Sequence, residues 1–297
     1  MNSGTTGTRE AETGGQAVGA QAVGVPPVAG ALPARLLSVA VVLTCAGMTA
    51  ATLRGDGTSI NAFLFLSLGL THEDAASIER IAAGAVMLAS ACALLWPRWA
   101  LLLPVAAYLL AESVAGWHLG GYPFSEWTPA ARAPAYLAPV ALAILATVPT
   151  QPARIAGLWR AIASWTLRLA MAAVFVAHGL EALQAHPRFI DLILSSSLNL
   201  TGIRLTESLA TTALQVIGVV DICVAVALLI KPWRAVLAWI AFWAALVAMS
   251  RMTAHGWGAY PEFLLRSTYI LIPLALWAIH RPQMAAAAPA RSNGESR

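Results

Sequence analysis

The chain has 297 residues, 59% hydrophobic and only 11% charged, against roughly 25% charged in ordinary soluble domains. No water-soluble fold of this length hides so much apolar surface, so composition excludes a soluble globular protein and makes the lipid bilayer the main partner. A net charge of +4 with a pI near 9.3 is no argument for nucleic acid here, because in a membrane protein the basic excess sets orientation.

Residues 1–33 are rich in Gly, Thr, Ala, Val and Pro, with QAVGAQAVGVPP as a near-repeat. They lack a core pattern and a basic n-region and are predicted to be a disordered cytoplasmic tail. Arg35 then opens an apolar run that resembles a signal peptide, but an internal counterpart begins at Arg168. The run is therefore read as a retained helix. Eight segments are predicted to cross the bilayer, near 35–54, 75–95, 98–117, 134–149, 161–183, 209–230, 233–250 and 265–281, each close to the ~20 residues that span a ~30 Å hydrocarbon core. Their continuous apolarity favours helices over barrel strands, which alternate. Pro97 and Pro232 are placed in the first turns of the third and seventh helices, where a missing N–H costs little.

Many of these features occur twice. Residues 59–71 (SINAFLFLSLGLT) and 189–201 (FIDLILSSSLNLT) align without a gap, and each predicts a short interfacial or re-entrant helix. Arg35 pairs with Arg168, Gly84 with Gly218, and LLWPRW from Leu94 with LIKPWR from Leu229. His118, Tyr122-Pro123 and Glu126-Trp127 return as His255, Tyr260-Pro261 and Glu262-Phe263, and Arg132, Tyr136 and Pro139 as Arg266, Tyr269 and Pro273. A period of about 130–138 residues is too long for a solenoid unit. It predicts an all-α membrane protein whose eight transmembrane helices form two parallel four-helix repeats, residues 34–150 and 160–282, with a cytoplasmic tail at 283–297. The tails and even-numbered connections carry eleven basic residues and three acids, so the positive-inside rule predicts a multi-pass inner-membrane protein with both termini cytoplasmic. The longer loops then face outward.

Charges inside apolar runs flag function, since each costs roughly 2.5–3.5 kcal/mol or more at the bilayer centre. Glu112, Glu181 and Asp221 qualify, Asp221 being the deepest. His178 and Glu181, at i and i+3, share a helix face near the outer end. They are candidates for proton relay, with Asp221 the third candidate catalytic residue. Arg251 and His255, at i and i+4, extend the seventh helix outward. With Tyr260 and Glu262 beyond them, and Glu112 and His118 from the first half, they make the candidate substrate-binding set. The loop aromatics, among them Trp117, Phe124, Trp127, Trp257 and Phe263, fit either an interfacial belt or a pocket for a quinone or another flat amphiphile. Cys45, Cys92 and Cys223 lie in apolar runs without a C-x-x-C pair, and no histidine spacing suggests a metal.

RLAMAAVFVAHGLEAL at 168–183, followed by ALQVIGVVDICVAVALLIKPWRAVLAWIAFW at 213–243, resembles the DoxX-like family of four-helix membrane proteins. The likeness lies in an arginine-led helix ending in His178-Gly179, a second helix with Gly218 and Asp221, a short basic turn and an apolar third helix. Glu181 and Ala182 stand where that family often has lysine or glutamine, and Asp221 where it usually has glutamate. The resemblance implies a membrane subunit of a quinone-linked redox system, with a separate redox partner protein, quinone as ligand and no covalently bound cofactor. A small-solute or proton-coupled carrier and a non-catalytic scaffold are the alternative readings.

Overall fold

A computed structural model describes residues 31–121 and 124–286, so residues 1–30, Tyr122 and Pro123, and 287–297 lie outside the description. The tail predictions fall largely there, as does the pairing of Tyr122-Pro123 with Tyr260-Pro261. Among the described residues every regular element is helical: α1 (Ala31–Arg54), α2 (Ser59–Leu66), α3 (His72–Leu95), α4 (Trp99–Leu119), α5 (Thr128–Ala131), α6 (Ala133–Thr147), α7 (Ala153–Leu183), α8 (Pro187–Thr201), α9 (Glu207–Ile230), α10 (Arg234–His255), α11 (Tyr260–Leu265) and α12 (Ser267–Ala286).

Among the described residues, seven candidate spans are long and apolar enough to cross a bilayer: α1, α3, α4, the run Ser125–Thr150 that holds α5 and α6, α7, α9 and α10. The stretch read as the eighth is a pair, Trp257–Leu265 and Ser267–Arg281, bent by 42°. Large apolar side chains such as Ile81 and Leu88 on α3 and Val216 and Val219 on α9 point outward, as expected where the surroundings are lipid.

Several boundaries differ from the sequence reading. Helix α1 begins at Ala31, inside the stretch read as tail, and α12 continues to Ala286, past the boundary at 282. Helix α7 begins at Ala153, inside a stretch read as a connection, because Ala153, Arg154, Ala156, Leu158 and Arg160 are good helix formers that follow Pro152 and outweigh Gly157. The fourth span is broken at Arg132, just ahead of Pro134, which lies in the first turn of α6. Pro97 and Pro232 stand in the turns, two residues ahead of α4 and α10. There they end α3 at Leu95 and α9 at Ile230, since the residue before a proline avoids helical geometry.

The core is formed where helices cross. α1 packs on α3 and α12, and α7 packs on α9 and α6, so the chain's first and last helices meet while its two middle ones meet. Leu37, Val41, Leu102, Leu142, Leu167, Met171, Ile272 and Leu276 fill the centre. A few buried hydroxyls stitch it: Thr44 and Ser267 lie 3.1 Å apart between α1 and α12, and Ser267 donates to the Ala40 carbonyl at 3.1 Å. Arg168 donates through Nε and Nη2 to the Leu228 carbonyl at 3.1 and 2.9 Å and through Nη2 to Leu229, while its guanidinium lies 3.9 Å from the Trp165 ring centroid. It thereby satisfies carbonyls that the end of α9 leaves without partners. Gly84 and Gly218, paired in sequence, differ in setting: Gly84 faces open space, whereas Gly218 lies in a helix crossing.

Candidate functional site

The most chemically equipped region lies in the second half, around the crossing of α7 and α9. Gly179 and Gly218 let the two backbones touch there, the small-residue device by which membrane helices approach closely. His178 is next to that contact on α7, and Asp221 follows it by three residues on α9. His178 Nδ1 lies 2.8 Å from Glu181 Oε2, and the carboxylate is buried while the imidazole is partly open. The predicted i, i+3 pair therefore exists.

Beside the crossing is a cavity of about 310 Å³, walled by Phe175 and His178 of α7, Leu214, Ile217 and Asp221 of α9, Trp243 and Val247 of α10, and Tyr269 of α12. Helix α8 covers it with Phe189, Leu192, Ile193 and Ser196. Local sequence explains this cover. Pro187 sits in the first turn, Gly202 ends the helix in a left-handed conformation at φ 71°, and the apolar residues gather on one face. Polar contacts hold α8 to α10: Ser196 donates to the Ser250 carbonyl at 3.1 Å, and Asn199 Nδ2 to the carbonyls of Thr253 and Ala254 at 2.9 and 3.2 Å.

Two ends of this apolar chamber are polar. At the inner end, Asp221 is 6% exposed and its Oδ1 has no hydrogen-bond partner among the described residues. At the outer end stand Arg251 and Arg266. Glu262 Oε2 lies between them, 3.9 Å from Arg251 Nε and 3.5 Å from Arg266 Nη1. Helix rise from Trp243, at the Asp221 level, to Arg251 is about 12 Å. Sequence reasoning left contact between Asp221 and the outer cluster open; the three groups His178, Asp221 and Arg251 share one chamber.

Other candidates lie elsewhere. His255 ends α10 and is exposed, outside the cavity lining. Tyr260 faces Arg54, whose guanidinium is 5.8 Å from the ring centroid. His118 stands edge-on to Phe63 at 5.4 Å. Glu112 accepts from the backbone N–H groups of Ser59 and Ile60 at 2.9 and 2.8 Å and pairs with Arg132 Nη1 at 3.0 Å. It anchors the first turn of α2, where backbone donors lack helical partners.

Sequence reasoning missed Glu79, which is as buried as Glu112 and accepts from Thr52 at 3.2 Å and from Thr58, the N-cap of α2. Its position two turns into α3 resembled the solvated start of a helix. Arg266 was noted only as the partner of Arg132, and Trp243 not at all; two arginines facing one carboxylate across 251–266 was the available signal. His280 was also passed over: its Nδ1 donates to Leu276 O at 2.8 Å and its Nε2 lies 3.4 Å from the Ser164 hydroxyl, a packing role far from the cavity.

A second hollow of about 320 Å³, between Trp99, Leu103, Val140, Ile144 and Trp159, has no titratable side chain in its wall. Among the described residues no group of three or more His, Cys, Asp or Glu could hold a metal ion. No protein-family model, curated protein or solved structure matches this chain.

Proposed function

We propose that this chain is the membrane subunit of a quinone-linked redox system, binding the quinone ring in the cavity beneath α8. The observation that carries the reading is an apolar chamber of about 310 Å³ with the hydrogen-bonded His178–Glu181 pair in or beside its wall. Such a chamber suits a flat amphiphile arriving from lipid, since ligand pockets combine apolar walls with a few placed polar groups. Conversion of quinone to quinol takes two electrons and two protons. A partner protein carrying its own redox group supplies the two electrons; His178, held by Glu181, delivers one proton to a quinone oxygen and Asp221 delivers the second to the other oxygen. Trp243 and Phe175 stack on or flank the ring.

The same reading makes the chain a tandem pair of DoxX-like units, eight spans in all, lying parallel in an inner membrane with both termini in the cytoplasm. The meeting of α1 with α12 and of α6 with α7 supports a duplicated plan, as do the short helices α2 and α8 at matching places in the two halves. The basic residues of the even-numbered connections support the orientation.

The experiment is equilibrium binding of a short-chain ubiquinone to the purified full chain in nanodiscs. Saturable binding that weakens about tenfold in His178→Ala is expected, the loss of roughly one hydrogen bond to a polar ligand atom. Absence of saturable binding in the wild type refutes the reading. A carrier is the second reading, and the Asp221 oxygen without a partner, facing the cavity midway along α9, favours it. Solute uptake into proteoliposomes that disappears in Asp221→Asn would select it.

A further inference from the structure

A neutral ring accounts for the walls of the cavity and for His178, but it leaves its outer end unexplained. Arg251 and Arg266 both face that space, and Arg251 Nε is buried without a hydrogen-bond partner among the described residues. Glu262 serves both guanidinium groups at long range and is itself half open to solvent. One carboxylate against two arginines leaves a positive charge at the end of an apolar chamber. A buried guanidinium donor without a partner is costly, and planar forked donors match the two oxygens of a carboxylate.

We infer that Arg251 and Arg266 form an anion subsite, and that this cavity takes a single-chain or ring amphiphile bearing a carboxylate at its outer end. The apolar body runs inward between α7, α9 and α10 and ends near Asp221. The roughly 12 Å of helix rise between the arginines and the Asp221 level sets its length. The volume of about 310 Å³ is at the lower limit of the ~300–1,000 Å³ typical of ligand pockets, which admits one chain or a fused ring and leaves no room for a whole two-chain phospholipid. This goes beyond the quinone reading: it uses the same chamber but depends on neither electron transfer nor His178.

The test is binding of radiolabelled dodecanoate to the full chain in phosphatidylcholine nanodiscs, with empty nanodiscs as background and dodecanol as the neutral twin. Dodecanoate is expected to bind at least about tenfold more tightly than dodecanol, the value of one charge-assisted hydrogen bond. Arg251→Gln is expected to erase that difference and Arg251→Lys to restore part of it. Equal binding of the two probes to the wild type overturns the inference, and needs no variant to fold. Unchanged preference in a folded Arg251→Gln also overturns it. So does loss of dodecanoate binding when phosphatidylglycerol replaces phosphatidylcholine, because the arginines then serve a bilayer headgroup. Dodecanoate binding without ubiquinone binding leaves this inference standing and removes the redox reading; the converse result does the opposite.

Discussion

Gly179 and Gly218 stand against each other across α7 and α9, so closely that a methyl group on Gly179 would lie 3.0 Å from the Gly218 carbonyl oxygen and one on Gly218 would lie 2.7 Å from that of Gly179. Such distances cannot be relieved by rotating a side chain, because the obstacle is backbone on both sides. The contact fixes how far apart the two helices run, and with it the spacing of His178 and Asp221.

Substituting Gly218 by leucine should therefore force the helices apart. A loss of about 1–3 kcal/mol is expected from overpacking, read as a lower thermal midpoint in nanodiscs together with weakened ubiquinone binding. Gly84→Ala, at a glycine facing open space, should leave the midpoint unchanged or raise it slightly, since alanine is the better helix former.

Glu112 should prove structural. Glu112→Ala removes the acceptor of two backbone N–H groups and the partner of Arg132. Hydrogen bonds to a charged group contribute about 1.5–3 kcal/mol each at most, so a loss of about 2–3 kcal/mol is expected. Amide exchange at Ser59 and Ile60 should accelerate, while binding in the second-half cavity stays intact.

Asp221→Leu should trade function for stability. It removes a buried oxygen without a partner, which costs about 1–3 kcal/mol to leave unmet, and adds apolar volume to a wall of the cavity. The thermal midpoint should rise while dodecanoate and ubiquinone affinities both fall. A variant with lower stability and unchanged binding would contradict the placement of Asp221 in the chamber.

The cover helix should respond to pH through His186. This residue lies between α7 and α8, its ring centroid 4.1 Å from that of Phe124 and 5.0 Å from that of Phe189, and its Nδ1 accepts from the Arg188 N–H at 3.2 Å. Burial pulls its pKa below the ordinary 6.5; the charges of Arg188 and His178 add to this, and Glu181 opposes it. A depressed folded value means that the unfolded segment binds more protons, so the contribution of His186 is whole above pH 6.5 and is lost as pH falls through the folded value. Amide exchange in the first turn of α8 should quicken as pH falls below 6.5, where the cap begins to be lost. His186→Asn, a capping side chain that does not titrate, should flatten that dependence.

The spans were legible because lipid imposes one requirement on every residue facing it: long apolar runs such as 209–230 need no partner to be recognised. The breaks near Pro97 and Pro232 were legible for local steric reasons, although both prolines precede α4 and α10 and do not open them. What the sequence withheld was the use to which each carboxylate is put. Glu112, Glu181 and Asp221 all read as charges in apolar surroundings, yet one holds the start of α2, one orients an imidazole and one faces a cavity. The i, i+3 spacing does encode the pairing of Glu181 with His178. The setting of Glu112, however, depends on the backbone N–H groups of Ser59 and Ile60, 53 and 52 residues away, and that of Asp221 on helices that wall the cavity from elsewhere in the chain, which spacing does not encode. The paired arginines were hidden for the same reason: Arg251 and Arg266 meet only because the chain folds back between α10 and α12.

Helix α7 is a single piece of 31 residues, about 46 Å from end to end, against a hydrocarbon thickness of ~30 Å. It must lean or protrude, and it has no proline or turn at which to flex. A tilt imposed at its His178 end is delivered at the other, near Arg154 and Arg160, as the swing of a stiff lever.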